Sequence, residues 1–272
     1  MEQMKLKNIL LLQKEIKKNA KEFSGKVYSN IYHFFAPEME HITCDYRMTD
    51  SSLSFAYFDE KGVYRVFFTS FNLPELKEEL SYFPEGAVLD YICEGDNVLE
   101  NVFLGANFRE IATYTRKSIN LIKEGKDFKR SHSEMLEPYY SPNIGEYATE
   151  DDAEEIVQVL DEVFDPEMDH LPTVEKIKEY AGKKWILIYR DKGKISALYL
   201  FQIQGRKFYS NISYNSLPAV VLYCLEKRAH MEVIENYDVI LKYSWINTKN
   251  AKSLKRNILN YDNVFTYIYK KV

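Results

Sequence analysis

The densest group of ionisable side chains in the second half of the chain is Asp165-Pro166-Glu167-Met168-Asp169-His170. Carboxylates gathered on one loop concentrate cations, so the segment suits the approach of an amine or polyamine. Its spacing is not one used by metal ligands, and a solvated acidic loop is the plainer account of it. Tyr214, at the end of one predicted strand, and Tyr243, on the next, could pass a proton through water; packing on a sheet surface is the alternative use. His33, His41, His132 and His230 have no Cys or Asp at a catalytic spacing, which leaves no hydrolase triad to draw. Cys44, Cys93 and Cys224 are scattered, giving neither a zinc site nor a disulfide framework. Reduced thiols in a cytoplasmic protein are the expectation.

The elements that must carry these residues are read from periodicity and punctuation. In the second half a short strand, Ile144 to Ala148, leads to a helix start at Thr149, where a hydroxyl can cap the first amides and Asp151, Asp152, Glu154 and Glu155 complement the helix dipole. Ile156, Val157, Leu160, Val163 and Phe164 form its apolar face, and a second short helix runs from Val174 to Ala181. Strands follow at Trp185 to Tyr189, Ile195 to Ile203 and Lys207 to Ser213, the first two joined by Asp191-Lys192-Gly193. A helix from Leu217 to about Glu235, a strand Val239 to Ile246, a helix Asn250 to Leu259 and a strand Val264 to Tyr269 complete the order β-α-α-β-β-β-α-β-α-β.

The first half repeats this series in shorter form. A shift of 153 positions, from 97 to 250, places Asn97 on Asn250, Phe108 on Tyr261, Ile111 on Val264, Thr113 on Thr266 and Tyr114 on Tyr267. Both halves also carry a Lys-Gly hairpin tip, Lys61-Gly62 and Lys192-Gly193, and a Leu-Pro helix opening, Leu73-Pro74 and Leu217-Pro218. The expected division is residues 1–125 for the first domain, 126–143 for a polar linker punctuated by Pro138 and Pro142, and 144–272 for the second.

Length and composition agree with two modest soluble domains: 272 residues, 46% hydrophobic and 28% charged, with 22 tyrosines, many of them where strands are expected. A net charge of −5 and a pI near 5.7 speak against general nucleic-acid binding. The N-terminal Leu10-Leu11-Leu12 is too short for a signal or membrane segment, and Leu6, Ile9, Leu10, Gln13, Ile16 and Lys17 fit an amphipathic helix. No membrane association is expected.

The element order, the ending Trp245-Ile246-Asn247-Thr248-Lys249-Asn250-Ala251-Lys252-Ser253-Leu254 and the entry Ile144-Gly145-Glu146-Tyr147-Ala148-Thr149-Glu150-Asp151-Asp152 together resemble the GNAT acyltransferases. The resemblance covers the second half by element order, and the first half looks like a shortened copy. It implies a mixed α/β (α+β) fold of two tandem GNAT-like domains, with acetyl-CoA or another acyl-CoA held where two neighbouring strands splay apart. It places the pyrophosphate at Tyr214-Asn215-Ser216-Leu217-Pro218-Ala219, with Asn215, Ser216 and Ala219 as cofactor-binding candidates. This segment lacks the family's glycine pattern: Leu217 adds bulk and Pro218 removes an amide, and the same residues also suit a plain helix start with Ser216 as cap and Pro218 in the first turn. The position of the family's proton-donating Tyr falls on Asn257, which can donate a hydrogen bond but cannot act as a general acid. Asn247 is a candidate for the pantetheine or the acceptor, with turn formation as the alternative; Asp165, Glu167, Asp169 and His170, with Tyr243, come to the acceptor side.

Two function classes remain open from the sequence. One is N-acyl transfer from acyl-CoA to a small-molecule or peptide amine; the other is a non-catalytic GNAT-like module that binds a peptide, metabolite or partner protein. Tandem GNAT aminoacyl transferases using charged transfer RNA would be expected to show a basic surface, which the residue counts do not support. Self-association into a homo-oligomer is left open.

Overall fold

The computed structural model describes residues 1–23, 25–32, 37–121, 144–250 and 261–272. The expected linker, 126–143, and Asn257 lie outside the described residues. By contacts the chain divides into two compact units: unit 1 is Met1–Tyr114 with Asn263–Val272, and unit 2 is Thr115–Asp262.

Unit 1 begins with β1 (Glu2–Lys5) and α1 (Leu6–Glu22), followed by β2 (Tyr28–Ser29), a 3-10 turn (Pro37–His41), β3 (Thr43–Met48), β4 (Ser52–Phe58) and β5 (Tyr64–Ser70). It continues with α2 (Leu73–Ser81), β6 (Val88–Glu94), α3 (Glu100–Gly105) and the first part of β7 (Phe108–Asn120). Leu6, Ile9, Gln13, Ile16 and Ala20 form the buried stripe of α1, at the spacing of one helix face. That stripe covers Leu53, Phe55, Tyr57 and Phe67 on one side of the sheet. The alternate residues Ala56, Val66 and Phe68 pack on the other side with Leu76 and Leu80 of α2 and Phe103 of α3. Strand β4 is therefore covered on both faces and buried from Ser52 to Tyr57. The Lys61-Gly62 tip forms as expected: Asp59 Oδ1 accepts the amides of Lys61 and Val63 at 3.0 and 2.9 Å, and Gly62 takes φ 76°.

Unit 2 holds β8 (Glu146–Tyr147), a 3-10 turn (Glu150–Asp152), α4 (Ala153–Val163), α5 (Val174–Gly182), β9 (Ile186–Asp191), β10 (Lys194–Gln204), β11 (Lys207–Asn215), α6 (Ala219–Asn236) and β12 (Leu241–Asn247). One face of its sheet, with Ile186, Ile188, Leu198 and Leu200, packs on α4 and α5. The other, with Leu187, Tyr199, Phe201 and Phe208, packs on Leu225, Ala229 and Val233 of α6. The Thr149 start is a reciprocal capping box, in which Asp152 Oδ2 takes the Thr149 amide at 2.6 Å and its hydroxyl at 2.9 Å. Arg190 ties this turn to the sheet through Asp152 at 2.5 Å and Glu155 at 2.7 Å.

The last strand, β13 (Tyr261–Lys271), departs from the expected division. The repeat assigned it to the second domain, yet from Asn263 onward it belongs to unit 1, while β7 passes into unit 2 from Thr115. Strand order is β1-β3-β4-β5-β6-β13-β7 in unit 1 and β7-β12-β11-β10-β9-β8 in unit 2. The physical reason is an antiparallel ladder with β6 running from Val264 opposite Glu94 to Lys270 opposite Val88. Two buried side chains reinforce it: Tyr269 takes a hydrogen bond from Asn97 at 2.8 Å, and the Lys271 ammonium donates to the carbonyls of Leu80, Ser81 and Ala106 at 3.1, 2.9 and 2.6 Å.

Candidate functional site

In unit 2, β11 and β12 run parallel and pair from Lys207 opposite Leu241 to Ser210 opposite Ser244. There the pairing ends, although β11 continues to Asn215 and β12 to Asn247. The two strand ends, 211–215 and 245–247, thus diverge from a common apex. At that apex β11 carries a bulge: across β10, Ser210 faces Phe201 and Ile212 faces Leu200, so Asn211 has no opposite residue. The extra residue reverses the alternation of side chains. Phe208 packs under α6, whereas Ile212 and Tyr214, which would share its face in a regular strand, pack with the α4 and α5 cluster. The bulge also releases main-chain groups of β11 from the ladder at the point where β12 turns away.

Helix α6 starts four residues after β11 ends, and the turn between them is built from two of the predicted residues. Asn215 accepts the Leu217 amide at 3.2 Å and donates to the Leu217 carbonyl at 2.7 Å. Ser216 does not cap the helix as its type suggested; both its amide and its hydroxyl donate to the Ser196 carbonyl, at 2.9 and 3.0 Å. Pro218 is the N-cap residue instead, with extended backbone, φ −52° and ψ 141°, and it has no side-chain acceptor to offer. The first turn contains no acidic residue. Ala219 is exposed, and the amides of Ala219 and Val220 have no acceptor among the described residues.

The face of the sheet away from α6 carries an aromatic and cationic wall beside the apex. Tyr243 lies against Tyr209 with ring centroids 5.7 Å apart. The Arg116 guanidinium stands 4.8 Å from the Tyr243 ring and 5.9 Å from Trp245, and its Nε donates to Asp262 at 2.8 Å. Asn247, at the end of β12, accepts the Lys249 amide through its side-chain oxygen at 2.9 Å, the turn-forming use of that residue. Asp165 likewise organises its own loop between α4 and α5, accepting the Glu167 amide at 2.9 Å through Oδ1, and the Met168 and Asp169 amides through its carbonyl. Glu167 and Asp169 are half-buried and His170 is exposed. Among the described residues no cluster of His, Cys, Asp and Glu could hold a metal ion.

Beneath the paired part of β12, on the α6 side, sits a charge cluster that the sequence did not single out. Lys242 is 2% exposed and bonds through its ammonium to Glu226. Burial works to raise the Glu226 carboxyl, but the neighbouring Lys242 ammonium holds it at about 2. His230, with Nε2 3.8 Å from Glu226, is driven down to about 3 by burial and by Lys242, so its imidazole is neutral at pH 7. The alternation of β12 was the available signal, since a lysine on its inward face requires a carboxylate from the helix above. A cavity of about 310 Å³ lined by Tyr147, Lys184, Phe201, Glu232, Asn236 and Tyr237 lies at the opposite end of α6 from the splayed strands.

No protein-family model matches this sequence, and no curated protein sequence matches it. Solved structures do resemble it. A GCN5-related N-acetyltransferase from Sphaerobacter thermophilus superposes with TM-score 0.52 at 10% identity, covering 87% of this chain and 78% of that one. The fold is that of the GNAT N-acetyltransferases. A GCN5-related N-acetyltransferase from Kribbella flavida gives TM-score 0.49 at 7% identity over 84% of this chain and 89% of that one. A tandem GNAT protein from the clavulanic acid biosynthesis pathway gives 0.46 at 7% identity over 80% and 78%. Each unit of this chain contains a parallel strand pair separated by one helix: β5, α2, β6 in unit 1 and β11, α6, β12 in unit 2. Among the described residues no helix is long and apolar enough to cross a membrane.

Proposed function

We propose that unit 2 binds an acyl-coenzyme A between the splayed ends of β11 and β12 and transfers the acyl group to a small-molecule or peptide amine. The observation that carries this reading is the end of pairing at Ser210 and Ser244, with the bulge at Asn211 and the uncapped start of α6 on the same strand-turn-helix segment. Open strand edges offer the donors and acceptors that an amide-containing arm requires. The Ala219 and Val220 amides, at the positive end of a helix with no carboxylate in its first turn, suit a pyrophosphate. Binding there uses main-chain groups, because the side chains of Asn215 and Ser216 are engaged in the turn.

Bound in this opening, an acyl-coenzyme A would supply the activated acyl group for attack by an amine. The residues of the chain then act by position. Main-chain amides at the bulge would polarise a carbonyl bound at the apex. The wall of Tyr209, Tyr243 and Trp245 gives an acceptor an apolar seat, and Tyr214 offers a hydroxyl beyond the bulge. Without a general acid at Asn257, rate enhancement would rest on orientation and on these donors.

A second reading, a binding module without catalysis, is supported by Leu217 and Pro218, which add bulk and remove an amide where close approach to phosphate favours glycine. Calorimetric titration with acetyl-coenzyme A and with free coenzyme A separates the two. Saturable micromolar binding, weakened about tenfold or more by Ala219→Glu with an unchanged melting temperature, is expected, because the introduced carboxylate would repel the pyrophosphate. Absence of binding by either compound at millimolar concentration would sink acyl transfer and leave the module.

A further inference from the structure

Unit 1 has its own splayed pair. β5 and β6 are parallel and pair only at Arg65 and Val88, so Val66–Ser70 and Leu89–Glu94 present main-chain groups that a neighbouring strand would otherwise take. The chain answers these groups with its own residues. β2 pairs antiparallel with the end of β5, Tyr28 opposite Ser70 and Ser29 opposite Thr69. The Ser29 hydroxyl donates to the Phe68 carbonyl at 2.9 Å. Asn30, 2% exposed, spans the gap: its Oδ1 accepts the Phe68 amide at 2.7 Å, and its Nδ2 donates to the Val66 carbonyl at 2.9 Å on one strand and the Asp90 carbonyl at 3.0 Å on the other. The Tyr32 hydroxyl then takes the Ile92 amide and donates to the Ile92 carbonyl at 3.3 Å.

The helix end beside this opening is closed as well. Asn72 caps α2 by accepting the Glu75 amide at 3.3 Å, and Glu75, in the first turn, receives Asn72 Nδ2 at 2.7 Å and the Ser51 hydroxyl at 2.6 Å. A carboxylate already stands where the helix dipole would attract a phosphate. In unit 2, by contrast, β11 pairs only with β10 and β12 among the described residues, and α6 has neither a side-chain cap nor an acid in its first turn.

We infer that Tyr28–Tyr32 is a built-in ligand of unit 1, an extended segment seated between β5 and β6 as an added strand with Asn30 as the bridge, so that unit 1 takes no coenzyme or peptide there. One chain then offers one open cleft, that of unit 2. Only this count rests on the acyl-coenzyme A reading; the seating of the segment does not.

Amide hydrogen exchange on the whole, ligand-free chain tests it. The Phe68 and Ile92 amides are expected to be protected, and Asn30→Asp, which turns a carboxylate oxygen toward two carbonyls, to speed their exchange about tenfold or more while β10 and β11 keep their protection. Tyr32→Phe, which removes one hydroxyl, should speed Ile92 alone, and it carries the test if Asn30→Asp does not fold. Wild-type exchange at Phe68 and Ile92 as fast as at open surface amides, or an Ile92 rate indifferent to Tyr32→Phe, overturns the inference. Titration with coenzyme A distinguishes it from the function proposed above: one site per chain supports both, two sites overturn the built-in ligand, and no site overturns the acyl-coenzyme A reading alone, the exchange rates still deciding the other.

Discussion

Glu79 shows what happens to a carboxyl that meets only hydroxyls. It is 3% exposed on α2, accepts from Ser52 and Ser54 at 2.8 and 2.7 Å through one oxygen, and has no partner for the other. Burial, only partly offset by the serines, raises it to about 7. Below the ordinary Glu value both the folded and unfolded chains hold the proton and the group is neutral in effect. Between about 4.5 and 7 the unfolded chain releases it while the folded one retains it, so stability falls as pH rises through this window, by up to about 3 kcal/mol. Glu79→Gln is expected to match the wild type near pH 4.5 and exceed it in urea melts at pH 8. Lys271 presents the opposite case, a buried ammonium satisfied by three carbonyls. Lys271→Met leaves those carbonyls unanswered, and a loss of about 3 kcal/mol is expected in the same measurement.

Elements with a local signature were legible in the sequence. The stripe of α1, the Lys61-Gly62 and Lys192-Gly193 tips and the Thr149 helix start each depend on residues a few positions apart, and each formed. Thr149→Ala should cost about 1 kcal/mol of stability in chemical unfolding, since it removes one arm of the capping box. What escaped depends on distant partners. β1 and β3 are half-polar strands whose existence rests on pairing with each other and with β4. Ser216 has the type of a helix cap, but a carbonyl of β10 takes it. The splay of β11 and β12 is a ladder that stops, and no residue type encodes stopping. Gly145 was quoted only as part of an entry phrase, yet it takes φ 69°, and a Cβ there would stand 2.5 Å from the Ile188 carbonyl oxygen. Gly145→Ala is expected to lower the melting temperature markedly, with about 1–3 kcal/mol from the backbone alone.

For the molecule as a whole, the repeat read from 97 to 250 aligns two segments that are both strands, β7 and β13. Membership was not legible, because sequence similarity records descent while contacts record where a strand is held. A chain cut after Asp262 keeps Met1–Tyr114 intact, yet it loses the ladder to β6 and the Tyr269 ring, 4.9 Å from Phe103. Such a chain should lose hydrogen-exchange protection across β6 and α3.

The placement of β13 also sets an order of events on the ribosome. Residues 1–114 emerge before unit 2, but the strand that completes them follows unit 2, on the order of ten seconds later at ordinary elongation rates. During that interval the nascent β6 has an unclaimed edge, open to any strand that reaches it. Unit 1 is thus begun before unit 2 and completed only after it, and a chaperone that shields one segment during translation would have most to protect at Val88–Glu94.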